Sequence, residues 1–204
     1  MKLKIFKKRV LKMSWYAQMA LLVVSTYAKI PSTVDSVNPD PVNQQLTQNS
    51  CLAQYRPFSS EAKYLFSEAA SEAGVPRSWA YSPGLHSILQ KESNGIVGIP
   101  NYTIKDQRGN SAQNNRDYWK VAHEKIRNYE SIAPSHATGL GQLQPENVDR
   151  YYPSGRAGIG DCREEAIGML RYIKAAYGSP NTAWSCYGKL KPELCPKKRF
   201  KEGY

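Results

Sequence analysis

From about residue 60 to residue 187, apolar residues recur every three or four positions, the spacing of helices with one buried face. Capping and stop signals divide this region into six predicted helices. Their starts are Ser60, Ser82-Pro83, Ala112, Pro145, the capping box of Asp161 with Glu164, and Ser179-Pro180. The predicted stops are Gly74, Asn94-Gly95, Glu130 and Gly178.

Two of the predicted helices have an apolar face that the spacing defines closely. The face of the first comprises Ala62, Leu65, Phe66, Ala69, Ala70 and Ala73, and that of the third comprises Tyr118, Val121, Ala122, Ile126 and Tyr129. No segment alternates for long enough to predict a sheet. The stretch "GIPNYTIKDQRGN" predicts either a small β-hairpin or a long loop insertion after the second helix. The fold class predicted from these patterns is mainly α.

The first 50 residues lack this helical pattern and divide into two parts. Residues 1–28 contain no acid, and six basic residues lie in their first part. A sixteen-residue apolar run follows and ends in "TYA", where two small residues flank a tyrosine, as at a cleavage site. This predicts a signal peptide, or alternatively an uncleaved N-terminal anchor, because about 20 residues are needed to span a membrane. Residues 29–50 are rich in Pro, Asn, Gln and Ser and are predicted to be a flexible linker, so the folded domain is expected over residues 51–204.

Composition narrows the classes of function. Of the net charge of +11, the leader accounts for six, and the remaining +5 suits an anionic polymer such as a bacterial wall. No nucleic-acid-binding motif is present. Four cysteines after an export signal predict two disulfides in an oxidising compartment, with three pairings open: Cys51, Cys162, Cys186 and Cys195. The three histidines are isolated from one another, so we expect no metal site and no cofactor.

One acid stands where the apolar face of the second helix should continue. Leu85, Ile88 and Leu89 define that face, and its next position is Glu92. An apolar wall and the negative end of the helix dipole both disfavour the ionised carboxyl, and so raise its pKa above about 4.3. An acid that keeps its proton near neutral pH is what cleavage of a glycosidic bond requires. The alternative is that Glu92 faces solvent at a frayed helix end.

Two later stretches carry groups suited to a saccharide. In "SHATGLGQLQPENV", the glycines that flank Leu140, including Gly139, let a backbone approach a ligand, and the amide of Gln142 offers two donors and an acceptor. The same residues also suit tight packing of a loop on a helix. Tyr172 and Tyr187, on the last two helices, either line a saccharide groove or pack in the core.

The order of these blocks resembles the lysozyme-like soluble lytic transglycosylase family, over about residues 60 to 190. That family has a helix ending in Glu-Ser, a Gly-Leu-Met-Gln segment followed by Pro, an Asn-Ile-x-x-Gly-x-x-Tyr-Leu helix, and a helix ending in Ala-Tyr-Asn. The matching residues here are Glu92-Ser93, Ala137, Gly139-Leu140, Gln142, Pro145, Tyr172-Ile173 and Ala183 to Tyr187.

The chain departs from the family pattern at several positions. Gly141 replaces the usual Met of the second motif, and Met169 stands where the third motif has a glycine. Glu165 replaces the Asn of that third motif, and Gly188 follows Tyr187 where the family has Asn. About forty residues separate Ser93 from the second motif, more than in compact members.

The resemblance implies a lysozyme-like helical domain that cleaves the β-1,4 bond between N-acetylmuramic acid and N-acetylglucosamine in peptidoglycan. Glu92 would protonate the leaving oxygen and then act as base on the muramyl C6 hydroxyl, which closes a 1,6-anhydro ring. The expected glycan contacts are Ser93, Gly139, Leu140, Gln142, Tyr172 and Tyr187. The expected partner is the glycan strand alone, with a monomeric exported protein that meets a membrane only through its N-terminal segment.

Three alternatives remain open at the level of the sequence. The first is a hydrolytic muramidase, the second is a wall-binding module without catalysis, and the third is a helical protein whose motifs match by chance. The sequence does not choose between a bacterial and a phage origin.

Overall fold

The structure, a computed structural model, describes residues 50–130, 136–187 and 195. The described part of the chain is mainly α, as predicted, and contains no β-strand. Its α-helices are α1 (Ser60–Ala73), α2 (Pro83–Glu92), α3 (Arg116–Arg127), α4 (Pro145–Tyr151), α5 (Cys162–Tyr177) and α6 (Pro180–Cys186). Short 3-10 turns lie at Arg77–Tyr81, Ala112–Asn114 and Gly155–Gly158. The predicted leader and nearly all of the predicted linker lie outside the described residues. None of the helices in the described ranges is long and apolar enough to cross a membrane.

Helix α1 forms where the spacing places it, and its buried residues are the six of the predicted face. The N-cap is Ser59 rather than the predicted Ser60, because the Ser59 hydroxyl accepts the N–H of Ala62 at 3.1 Å. Gly74 ends the helix in the left-handed region, with φ of 67°.

Helix α2 and helix α6 lie side by side, and their beginnings are joined. The side-chain oxygen of Asn181 accepts both the Ser82 hydroxyl at 2.8 Å and the Gly84 N–H at 3.1 Å. A Cβ at Gly84 would lie 2.5 Å from the carbonyl oxygen of Pro180, so the glycine is needed for this close approach. The ends of the two helices carry Glu92 and Tyr187.

The third predicted helix is too long, and its predicted face is partly wrong. The segment from Ala112 is a 3-10 turn, and α3 begins only after Asn115, whose side chain accepts the N–H of Tyr118 at 3.3 Å. The buried residues of α3 are Trp119, Ala122 and Ile126. Tyr129 lies beyond the end of the helix and is 71% exposed, and the guanidinium of Arg156 lies over its ring at 3.8 Å from the centroid.

The segment between α2 and α3 is a loop rather than a hairpin. A single isolated antiparallel bridge joins Lys105 and Ser111 in it. The turn inside this bridge is organised by Asp106, whose carboxylate accepts the N–H groups of Arg108 and Asn110 at 2.9 Å each. Two backbone bonds flank the bridge, from the Asp106 N–H to the Asn110 carbonyl oxygen and from the Ala112 N–H to the Ile104 carbonyl oxygen, both at 2.8 Å. The antiparallel pairing goes no further, and the Asp106 side chain closes the turn inside it.

Helix α5 is the most buried helix of the described residues, with eleven buried positions. Asp161 caps it as predicted, accepting the N–H groups of Arg163 and Glu164. The reciprocal half of the predicted capping box is absent, because Glu164 accepts the Ser154 N–H instead.

Two disulfides are present, as predicted from the cysteine count. Cys51–Cys162 joins the segment before α1 to the start of α5. Cys186–Cys195 joins the last residue of α6 to a residue nine positions later.

Candidate active site

Glu92 is the last residue of α2 and is only partly exposed. The three apolar residues before it on the same face, Leu85, Ile88 and Leu89, are completely buried. Burial of the carboxyl raises the pKa of Glu92 from 4.5 to about 7, against a smaller lowering effect of a hydrogen bond from Tyr187. Glu92 is therefore a half-buried acid at the end of a buried apolar helix face, with a pKa raised towards neutral pH.

Tyr187 contacts Glu92 directly through its hydroxyl group. Burial, the charge of Glu92 and this hydrogen bond raise the pKa of Tyr187 to about 12, so the phenol keeps its proton and acts as the donor. Its ring stacks on Trp184, with centroids 5.4 Å apart. Tyr187 is thus a partner of the acid itself, a closer association than the glycan contact expected from the resemblance.

Ser93 joins the end of α2 to the loop that carries the Gly-Leu-Gly-Gln sequence. Its side chain is 4% exposed, and its hydroxyl donates to the carbonyl oxygen of Leu140 at 2.8 Å. The hydroxyl oxygen of Ser93 also accepts the N–H of Gly95 at 3.1 Å. These contacts fix the position of the neighbouring Glu92 relative to the loop.

The two glycines around Leu140 permit tight packing of the loop against α5. A Cβ at Gly139, which has φ of 77°, would lie 2.6 Å from Cδ of Glu165, and a Cβ at Gly141 would lie 3.0 Å from Cγ of Met169. Leu140 itself is completely buried. Loop-on-helix packing, one of the two interpretations of this motif, therefore accounts for both glycines.

Gln142 uses its amide to hold the loop to the segment after α2. Its Nε2 donates to the carbonyl oxygens of Ile99 at 2.8 Å and Gly139 at 3.2 Å, and its Oε1 accepts from Asn101 at 3.3 Å. Its backbone is in the left-handed region, with φ of 46°, which a residue other than glycine adopts at a cost. The amide donors are thus engaged inside the protein, and a glycan contact would use the remaining lone pair of Oε1.

Tyr172 is placed in the core. Its side chain is 4% exposed and makes edge-to-face contacts with Tyr151 and Tyr177, with centroids 5.7 and 6.2 Å apart. It thus belongs to an aromatic cluster between α4 and α5 and is not exposed as the wall of an open groove would be.

A second acid, Glu165, connects the loops around Glu92 and is completely buried. Its carboxylate accepts the N–H groups of Gly98 at 3.0 and 3.1 Å, Gly160 at 2.9 Å and Leu140 at 2.9 Å. Burial raises the pKa of Glu165 to about 7, and these donors oppose the effect. Glu165 therefore holds three loops on α5, one of which is bonded to Ser93.

In the sequence, Glu165 stands out only as a departure from the motif that the chain resembles. Glu165 could have been found in the same way as Glu92, because it lies on the same helical face as Met169, Tyr172 and Ile173, all of which are buried. Both glutamates therefore occupy a position on a helix face that is otherwise apolar.

The remaining polar groups near the site bind backbone atoms. His123 Nε2 lies 2.6 Å from the carbonyl oxygen of Gly98, and burial lowers the pKa of this imidazole.

Within the described ranges, one set of side chains is close enough to hold a metal, and it consists of Cys51, Asp161 and Cys162. Both of its sulfur atoms belong to a disulfide, so neither is a thiolate ligand.

The site therefore combines an acid that can be protonated at neutral pH, a phenol that donates to it, and a loop fixed beside it. This arrangement can give a proton to a leaving group and take one back.

Comparisons with protein-family models, with curated proteins and with solved structures found no match to this chain.

Proposed function

We propose that this chain is a lysozyme-like lytic transglycosylase that cleaves the β-1,4 bond between N-acetylmuramic acid and N-acetylglucosamine in peptidoglycan. The observation that carries the proposal is Glu92, a partly buried acid at a helix end whose pKa is raised to about 7. In the first step the protonated carboxyl donates to the leaving oxygen. In the second step the carboxylate accepts the proton of the muramyl C6 hydroxyl as the 1,6-anhydro ring closes.

Tyr187 suits both steps of this mechanism. Its hydroxyl bonds to the Glu92 carboxyl, and it stabilises the negative charge that appears once the proton has been given away. The same bond restricts rotation of the carboxyl, so that one oxygen stays directed away from Tyr187 for the substrate.

Two departures from the family pattern compensate one another, which supports the resemblance. The family has a large residue in the loop and a glycine on the helix, whereas this chain has Gly141 in the loop and Met169 on the helix. The two positions face each other, since a Cβ at Gly141 would lie 3.0 Å from Cγ of Met169. The exchange keeps one large side chain in one space, as close packing requires.

The surroundings of two other acids, Glu165 and Asp106, favour a mechanism with one carboxyl. Glu165 is sealed from solvent and bonded to three backbone N–H groups, so it is not available to activate a water molecule. Asp106 is occupied by the turn it organises. A hydrolase that retains or inverts configuration ordinarily needs a second carboxyl at the cleaved bond.

An exported enzyme fits the two disulfides, which persist in oxidising compartments. The periplasm or the exterior of a bacterial cell is where such an enzyme would meet its polymer. Residues 1–28 would direct export or tether the domain to the membrane.

The test is clearing of a purified peptidoglycan suspension by the wild-type chain and by Glu92→Gln. We expect the substitution to lower the rate by a factor of about 10² to 10⁴ or more while the fold is retained, because the amide cannot donate the proton. Glu146→Gln is the matched control, since Glu146 is an exposed glutamate on α4. A folded Glu92→Gln chain that clears wall at the wild-type rate would overturn the assignment.

A further inference from the structure

The end of α6 carries the residue that contacts the acid. The helix has seven residues, about two turns, and a helix this short has little stability of its own. Its beginning is fixed to α2 by Asn181, which accepts from Ser82 and Gly84. After its last residue, the N–H of Tyr187 donates to the carbonyl oxygen of Trp184.

A covalent bond reinforces this weak end. Cys186 is the last residue of α6 and is cross-linked to Cys195, so the residue directly before Tyr187 is tied to the chain nine positions later. A cross-link over so short a loop removes few conformations from the unfolded chain compared with a long one. Its main local effect is therefore on the backbone on either side of Cys186.

We propose that the Cys186–Cys195 disulfide positions Tyr187 against Glu92 and so fixes the orientation of the Glu92 carboxyl. The catalytic consequence rests on the proposed function, but the positioning itself can be measured without substrate. Without the cross-link, the last turn of α6 opens and the phenol spends part of its time away from the carboxyl. Glu92 then loses its donor and gains water.

The other disulfide supplies a matched control. Cys51–Cys162 closes a loop of 111 residues and contacts Tyr55, whose hydroxyl lies 3.4 Å from the Cys162 sulfur. It lies at the start of α5, whereas Tyr187 follows α6. Its removal is expected to lower global stability and to leave the contact between Tyr187 and Glu92 in place.

The experiment is a ¹³C NMR titration of the Glu92 side-chain carboxyl in four chains. These are the wild type, Cys186→Ser with Cys195→Ser, Tyr187→Phe, and all three substitutions together. Cys51→Ser with Cys162→Ser is titrated beside them as the control. We expect the titration midpoint of Glu92 to move when the disulfide is removed from the wild type. We expect no movement when it is removed from Tyr187→Phe, because the donor through which the cross-link acts is already absent.

The same four chains are compared for the rate of wall clearing. Loss of the disulfide or of the phenol should each reduce the rate about tenfold, the order expected for one hydrogen bond to a charged group. The combined variant should be no slower than Tyr187→Phe alone. If the wild type clears no wall while the midpoints behave as described, the proposed function fails and the positioning stands.

Four results would overturn the proposal. The first is an unchanged midpoint after removal of Cys186–Cys195, and the second is an equal movement in the wild-type and Tyr187→Phe backgrounds. The third is an equal movement when Cys51 and Cys162 are replaced by serine instead. A Cys186→Ser, Cys195→Ser chain that does not fold would also overturn it, because the cross-link would then be a requirement of the whole fold.

Discussion

Replacing Glu165 by glutamine should flatten the dependence of stability on pH. Burial raises the pKa of this carboxyl from 4.5 to about 7, a difference worth about 3 kcal/mol. Between these pH values the folded protein holds a proton that the unfolded chain has released. The free energy of unfolding therefore falls as pH rises through this window, by about 3 kcal/mol from Glu165 alone.

Other buried groups contribute to the same window. The pKa of Glu92 is also raised to about 7, so Glu92 too lowers the free energy of unfolding as pH rises. Burial lowers the pKa values of His86 and His123, so these two imidazoles contribute a rise with increasing pH. All three groups are the same in wild type and Glu165→Gln, so they cancel when the two chains are compared at one pH.

The assay is urea denaturation of both chains at pH 5 and pH 8, with Glu146→Gln as the control that keeps the wild-type dependence. We expect the destabilisation caused by Glu165→Gln to be about 3 kcal/mol smaller at pH 8 than at pH 5. An equal destabilisation by Glu165→Gln at pH 5 and at pH 8 would contradict a raised pKa of Glu165. A larger destabilisation at pH 8 would mean that the N–H donors of Gly98, Gly160 and Leu140 outweigh burial.

Three further predictions follow from the packing, the disulfides and the loop. Gly141→Met should destabilise by about 1–3 kcal/mol through overpacking against Met169, and adding Met169→Gly should recover most of that loss in thermal melts; a purely additive result would contradict the pairing. Replacing Cys51 and Cys162 by serine should cost about 4–5 kcal/mol in urea denaturation, because the cross-link closes 111 residues; an unchanged free energy of unfolding would refute this. Gln142→Ala should slow wall clearing less than loss of the acid, since its amide holds a loop; wild-type turnover would remove Gln142 from the site.

The helices were predictable because local signals and burial agree. Ser82-Pro83, Asp161 and Gly178 begin or end helices where capping chemistry places them. The face of α1 follows directly from its spacing. The errors in α3 lie at both ends, because Asn115 caps the helix after a 3-10 turn and the helix ends at Arg127, before Tyr129.

Much of the candidate site was less predictable because its contacts are distant in sequence. Glu92 could be found from its place on an apolar face. Ser93 and Gln142 were expected at the substrate, yet their polar atoms bind backbone groups of loops some 40 residues away. The pairing of the cysteines and the donors of Glu165 also depend on tertiary contacts, which no local spacing encodes.

The most direct test of the account is mass spectrometry of the fragments that the wild-type chain releases from purified peptidoglycan. We expect muropeptides ending in 1,6-anhydro-N-acetylmuramic acid from the wild type and none from Glu92→Gln. Fragments with ordinary reducing ends, or release of fragments by Glu92→Gln at the wild-type rate, would contradict a single glutamate that acts first as acid and then as base.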